Sequence, residues 1–288
     1  MKNQGNRSLM QLSAQGVLLF AMAFGFHAVF SATPLQASKE VSGRHGPATW
    51  GTPDQPWGTR RPVTSADRKL IATYRSGHKP LTFSTDFRDQ AQFNSEWQPQ
   101  SDEKAGMKSC RRPENVQLSG QGLRLRTLAA RDCQTEWSTG AITSTFRQKY
   151  GFFEARLKIA DIGGMNNAFW LTTTDDYEID VTEVRYPNYD HMNLCNWDKS
   201  VKSHCVGLGV KFVDNLSDDF HDYGVLWTPN ELIFEVDGDP VGVIMTSGVI
   251  GGTANIRFSS ALGDSFGKIP ADPVGHDMVV PSLRVYAY

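Results

Sequence analysis

The chain has 288 residues, 40% hydrophobic and 11% aromatic, with a formal net charge of −2, which is enough for one large domain with a well-buried core. The charge is uneven: residues 38–79 carry eight Lys/Arg against three Asp/Glu, and residues 80–288 are near −9. An acidic domain of this kind excludes nucleic acid and anionic membrane surfaces as natural partners and argues against a strongly sulfated polysaccharide.

At the N-terminus, Lys2 and Arg7 precede an apolar run from Val17 to Phe30, followed by small residues at Ser31-Ala32 and Ala37-Ser38. That order is the pattern of a secretory signal peptide over residues 1–37. The run of 14 residues is short for a membrane span. An uncleaved anchor is the rival reading. The expected destination is secreted or periplasmic, with no membrane contact after cleavage. Residues 38–79 are rich in Gly, Pro, Ser, Thr and Arg and show no apolar periodicity. They read as a flexible linker or tail, with Trp50 and Trp57 as the points that could tack it onto the domain.

From Leu81 onward, short apolar alternations are separated by turn signals. Strands are expected at 81–84, at 116–118 and 123–128 around a Ser-Gly-Gln-Gly hairpin, and at 140–146 and 152–159. In the last of these, Phe153, Ala155 and Leu157 lie opposite Glu154, Arg156 and Lys158. Further strands follow at 168–171, 177–184, 191–195, 206–212, 223–227, 232–236, 241–245, 255–259 and 278–286. No long 3.6-residue period appears. The pattern predicts an all-β fold over 80–288, an antiparallel β-sandwich or jelly roll with a concave substrate cleft, and no internal repeat.

Four cysteines, Cys110, Cys133, Cys195 and Cys205, suit an oxidising compartment and allow three connectivities. The sequence-close pairs Cys110–Cys133 and Cys195–Cys205 are favoured, with free buried thiols as the alternative. No Cys-x-x-Cys spacing supports a zinc site.

The stretch Tyr177–Glu183 reads YEIDVTE. In a strand, Glu178 and Asp180 share one face while Ile179 and Val181 point into the core. Glu183 breaks this parity. One extra residue, a β-bulge near Val181 or Thr182, returns it to the carboxylate face. Read alone, the stretch could be an ordinary solvated strand face. Two carboxyl groups flanking a sugar linkage are enough to cleave it, one as acid and the other as nucleophile or base. Asp180 between them should raise its neighbours' pKa and keep Glu183 protonated, and, when itself protonated, could orient Glu178. Sugar faces stack on aromatic rings, and polar side chains fix hydroxyls. Trp170, Tyr186, Asn193 and Trp197 are near enough in sequence for this, and Trp137 could also reach the cleft. Arg185 is expected to pair with an acid. The histidines offer no clear lead, and a metal reading of the carboxylates lacks a calcium-loop spacing.

EIDVTE after NAFWL and YGFFEARLKI, with WSTGAITS before it, FHDYGVLWTPNELIFEVDGDPV after it and PSLRVYAY at the end, resembles glycoside hydrolase family 16 over most of 81–288. The resemblance implies a β-jelly roll, with Glu178 as nucleophile, Asp180 as its assistant and Glu183 as acid/base. It also corresponds to the bulged form found in laminarinases and agarases. Three positions depart from the family pattern. Asn166-Asn167 stand where many members have Trp-Pro. Cys195 stands where a histidine is expected in members acting on β-1,3-glucan. Ser282 stands where an Asp often binds structural calcium. The expectation is therefore a secreted, monomeric, retaining endo-β-glycosidase. Its polysaccharide partner would be a neutral β-glucan, and no cofactor is expected beyond a possible structural calcium. The alternatives are an agarase- or porphyranase-like galactan hydrolase, a transglycosylase, and a non-catalytic carbohydrate-binding sandwich.

Overall fold

The computed structural model describes residues 49–50, 57–200 and 205–288. The expected signal segment, 1–37, lies outside them. In chain order come strands β1 (Thr49–Trp50) and β2 (Arg60–Arg61), helix α1 (Ser65–Arg75), β3 (Leu81–Thr85), helix α2 (Gln90–Glu96) and β4 (Trp97–Pro99). Next are β5 (Ser109–Arg111), β6 (Val116–Ser119), β7 (Gly122–Leu125), β8 (Leu128–Ala129), β9 (Trp137–Thr139), β10 (Ala141–Gln148) and β11 (Gly151–Lys158). Then follow β12 (Met165–Thr173), β13 (Tyr177–Arg185), β14 (Tyr189–Asn196), β15 (Cys205–Lys211) and β16 (His221–Trp227). The series closes with β17 (Glu231–Val236), β18 (Asp239–Met245), β19 (Ala254–Leu262) and β20 (Met278–Tyr286).

Period-2 alternation sorts these strands into two antiparallel sheets. One runs β1-β15-β14-β13-β12-β19-β10-β4 and the other β2-β18-β17-β16-β11-β20-β7-β6, with β3 on the second half of β20. Each strand turns its apolar residues toward the opposing sheet. Phe153, Ala155 and Leu157 of β11, Ile179, Val181 and Val184 of β13, and Phe169 and Leu171 of β12 all join one buried core between the sheets. The all-β sandwich expected from the sequence is what forms. A small third sheet, β5-β9-β8, lies beside the first. Both favoured disulfides are present. Cys110–Cys133 ties β5 to the segment before β9, and Cys195–Cys205 joins directly opposed residues of β14 and β15.

The expectation of a flexible linker or tail over 38–79 needs correction in its described part. Trp57 is buried in the main core, edge-on to Tyr177, and β2 pairs with β18. Residues 65–75 form α1, started by a capping box in which Thr64 accepts from the Asp67 backbone N–H and Asp67 accepts from that of Thr64. The helix covers the outer face of the second sheet. Ile71 and Tyr74 pack there on Phe152, Leu226, Ile233, Val243 and Tyr286. Its apolar stripe is narrow, and ion pairs supply much of the anchoring. Arg61 pairs with Asp67 nearby and with Glu231 far along the chain, and Arg75 with the equally distant Glu154 and Asp222. A local scan for apolar periodicity has little to find in such a helix.

Candidate active site

The first sheet turns its other face outward to form the cleft, and the strand register arranges that face in rows. Across β14-β13-β12-β19 the rows are Cys195-Glu178-Thr172-Asn255, Asn193-Asp180-Trp170-Arg257, His191-Glu183-Ala168-Ser259 and Tyr189-Arg185-Asn166-Ala261. The register of β13 shifts between Asp180 and Glu183. Against β12, Thr182 lies opposite Phe169 and Asp180 opposite Trp170, so Val181 is the extra residue. Val181 and Thr182 are both buried, and Glu183 returns to the cleft face. A bulge takes a backbone N–H out of the ladder. Here Asp190 accepts from the Glu183 N–H at 3.2 Å and from the Thr182 hydroxyl at 2.6 Å, which pins the distortion. Complete burial pushes the Asp190 carboxyl up to about 7, against those hydrogen bonds.

The three carboxylates share one cleft and differ in environment. Asp180 is fully enclosed. Burial, and then the charges of Glu183 and Glu178, push its pKa well above the usual carboxylate range, while Asn193 Nδ2, donating to Oδ2 at 2.9 Å, opposes the rise. Burial also raises Glu178, opposed by the Lys104 ammonium and by a hydrogen bond with Trp197. Glu183 goes the other way. Burial favours its neutral form, but hydrogen bonds with His191 and Asn166 outweigh it and leave the pKa below the ordinary glutamate value. Asn166 Nδ2 donates to Glu183 Oε1 at 2.6 Å; Asn193 Nδ2 and His191 Nδ1 approach Oε2 at 3.1 and 3.4 Å. The direction for Glu183 thus runs against the expectation that Asp180 keeps it protonated: in the free cleft its hydrogen bonds with His191 and Asn166 favour the charged form.

The remaining candidates divide. Asn193 stands between Asp180 and Glu183. Trp197, 50% exposed, reaches Glu178 from the cleft lip. Trp170 lines the cleft but is only 8% exposed. Its Nε1 donates to Ser259 Oγ at 3.1 Å, and the Lys104 and Arg257 cations lie 5.5 and 4.8 Å from its ring centre, so it is not an open stacking platform. Trp137 packs beside Ile162 and Met165 and lines a neighbouring depression, which shares Met107 with the cleft. Tyr186 is exposed on the turn after β13, outside the cleft lining. Arg185 makes no ion pair within contact distance among the described residues, although its charge helps to lower the Glu183 pKa. Its guanidinium lies between the Tyr189 and Phe266 rings, 5.7 and 5.3 Å from their centres. Asn166 faces Glu183, while Asn167 turns inward to bind the Ala160 N–H and the Val184 carbonyl.

Sequence reasoning passed over His191, Asp190, Lys104, Arg257 and Phe266. Only His191 had a legible signal, because it shares strand parity with Asn193. Glu178, Asp180 and Cys195 come close enough to suggest a metal cluster, but the Cys195 sulfur is committed to Cys205 and cannot donate. Ser282 stands directly across from Arg156 in the register of β20 and β11.

The structure is a two-sheet antiparallel sandwich of the jelly-roll class with three carboxylates along β13 on one cleft face. Within that class, residues 90–256 match the model of glycosyl hydrolases family 16, and the chain belongs to that family. Among curated relatives, it is 28% identical over 165 residues to the endo-1,3-1,4-beta-glycanase ExsH of Rhizobium meliloti (53% of this chain, 34% of that protein). It is 33% identical over 99 residues to a beta-glucanase of Acetivibrio thermocellus, covering 32% of this chain and 28% of that one. The chain thus spans about a third of the length of the curated relatives it matches. The laminarinase catalytic domain of Thermotoga maritima superposes with a TM-score of 0.66 at 18% identity, over 73% of this chain and 98% of that one. The family 16 endo-beta-1,3(4)-glucanase SCLam gives 0.63 at 19% identity, over 80% and 95%.

Proposed function

We propose that this chain is a secreted or periplasmic endo-β-glycosidase that cleaves internal linkages of a β-glucan with retention. The observation that carries the reading is the bulged β13, which brings Glu178, Asp180 and Glu183 to one cleft face. The Glu178 carboxylate attacks the anomeric carbon, the glycosidic C–O bond breaks, and the Glu183 proton passes to the leaving oxygen. Water then gives a proton to Glu183 and attacks the same carbon, releasing Glu178 from the glycosyl ester. Asp180, as a neutral acid, can donate a hydrogen bond toward Glu178 without adding charge. A sugar hydroxyl that takes over Asn166 removes one of the contacts holding Glu183 ionised. The remaining burial then favours the proton that the first step needs. The names of the curated relatives support a β-glucan carrying 1,3 and 1,4 linkages, and the disulfides and the N-terminal signal pattern support export.

The test is release of reducing ends from mixed-linkage β-glucan, laminarin and agarose by the full chain and by Glu178→Gln. Loss of at least about 10³-fold in kcat is expected for the variant, the scale on which removing a reacting group acts. Equal activity of the two proteins would overturn the nucleophile assignment. Binding without product from any of the three would favour a carbohydrate-binding sandwich.

A further inference from the structure

The family match begins at residue 90, yet a residue well before it sits in the core next to the start of β13. Two short strands of this early segment cap the margins of different sheets: β1 pairs with β15 of the first, and β2 with β18 of the second. Trp57, which lies between them in sequence, is 3% exposed, and its ring stands edge-on to Tyr177 with 6.0 Å between centres. The backbone fastens it there. The Gly58 N–H donates to the Met245 carbonyl and the Met245 N–H to the Thr59 carbonyl, both at 2.7 Å. Gly58 has a φ of +85°, and a Cβ on it would come 2.5 Å from Val206 Cγ2, so glycine is what lets the segment lie this close to β15. Further along, α1 anchors the segment again through Arg75, which pairs with Glu154 and Asp222. Residues 57–75 thus form a strap on the sandwich, with one aromatic ring driven into its core.

That ring touches the residue immediately before Glu178. Across from Tyr177 in β14 stands Asn196, whose side chain hydrogen-bonds with the Tyr177 hydroxyl. The next residue is Trp197, whose backbone N–H donates to the Asp176 carbonyl at 2.9 Å. The Trp197 side chain is half exposed, so its place depends on this hairpin base more than on packing around the ring. Its hydrogen bond with Glu178 favours the ionised carboxylate, the form a nucleophile needs. Contacts in a close-packed core transmit displacement, and small misplacements at a reacting group are costly. We infer that Trp57 is a positioning residue for the nucleophile, supplied from outside the family-matched part of the chain: its ring fixes Tyr177, and Tyr177, through Asn196, fixes Trp197 against Glu178. The inference rests on Glu178 being the nucleophile of the proposed reaction and adds the segment that holds its partner in place.

The test titrates Glu178 directly in the full chain, by the 13C resonance of its carboxyl, assigned from its loss in Glu178→Gln. Wild type, Trp57→Leu, Trp57→Phe, Tyr177→Phe and Trp197→Phe are compared, each below its thermal midpoint. The charged groups facing Glu178 are Lys104 from the segment between β4 and β5, Arg257 of β19, and Asp180 and Glu183 of β13 itself, and all stay in place in these variants. Losing the Trp197 hydrogen bond removes a stabiliser of the charged form, so the Glu178 pKa should rise by about half a unit or more in Trp197→Phe, Trp57→Leu and Tyr177→Phe. Trp57→Phe, which keeps a ring against Tyr177, should restore most of the wild-type value. On mixed-linkage β-glucan the acid limb of kcat/KM should move to higher pH in the same variants, since Glu178 must be ionised to attack. Tyr177→Phe keeps the packed ring and removes only the hydroxyl, so it decides the route even where Trp57→Leu fails to fold. An unmoved titration in Trp57→Leu and Tyr177→Phe, beside a shift in Trp197→Phe, overturns the inference, assigns Trp57 to core packing alone and leaves the proposed function standing. An unmoved titration in Trp197→Phe overturns it as well, and a shift in Trp57→Leu without one in Tyr177→Phe overturns the route through Asn196. If wild type cleaves no glucan the proposed function fails, and the carboxyl titration still decides whether Trp57 governs Glu178.

Discussion

Among single residues, Asn166 has the most specific consequence. Its amide donates to Glu183 at 2.6 Å and helps to hold that carboxyl ionised against its own burial. In the free protein a general acid must be protonated, so the Glu183 pKa sets the alkaline limb of kcat/KM. Removing the donor removes a stabiliser of the charged form and raises that pKa. Asn166→Ala should therefore move the alkaline limb to higher pH by about one unit. A pH profile of kcat/KM on β-glucan checks this, and an unmoved limb would mean that Asn166 does not control the proton. At this scale much of the carboxylate set is legible in the sequence, because parity alone requires an extra residue between Asp180 and Glu183. The partners are less legible. Lys104 and Arg257 reach the cleft from a loop and from a strand separated from β13 by long stretches of chain. Asp190 supports the bulge through a backbone N–H that no residue pattern marks.

At the scale of elements, the cleft depends on neighbouring strands leaving room for one another. Gly207 of β15 lies opposite Asn193, and a Cβ there would come 2.5 Å from Asn193 Oδ1 and 2.7 Å from His191 Nε2. Both side chains would have to move, and both contact Glu183. The backbone at Gly207 is an ordinary strand flanked by Val206 and Leu208 in the core, so the sheet itself should survive the added methyl. Gly207→Ala is expected to lower kcat/KM on the order of 10- to 100-fold, as misplacement of supporting groups does, while the thermal midpoint changes little. A comparable fall in thermal midpoint would instead show a role in folding. Strands are readable because their period is two and their core faces are apolar, as in Phe153, Ala155 and Leu157. Helix α1 is harder to read. Its stripe is little more than Ile71 and Tyr74, and it docks through Arg75 onto Glu154 and Asp222, which come from β11 and β16.

Across the whole molecule, burial of acids links stability to pH. Glu154, Gly224 and Glu235 lie in register across β11, β16 and β17 beneath α1, and burial raises both carboxyls, with Arg75 opposing. Asp180 is raised as well, and Asp190 is pushed up to about 7. An acid whose folded pKa is raised binds more protons in the native state than in the unfolded chain. Its contribution is fully present below the unfolded value, and it is lost as pH rises through the folded one. For Asp190 that window runs from 3.8 to about 7. Asp67 has the opposite sign, lowered to about 2 by its hydrogen bond with Arg61, but its stabilisation is complete above 3.8 and does not change at higher pH. Between pH 5 and pH 8 the buried acids therefore dominate, and the thermal midpoint should fall by about 10 °C, a few degrees for each kcal/mol in a domain this large. Glu154→Gln, which cannot ionise, should reduce that fall by roughly 3 °C. Calorimetry of wild type and variant at the two pH values measures both. A midpoint higher at pH 8 than at pH 5 would mean that the native state ionises these acids freely.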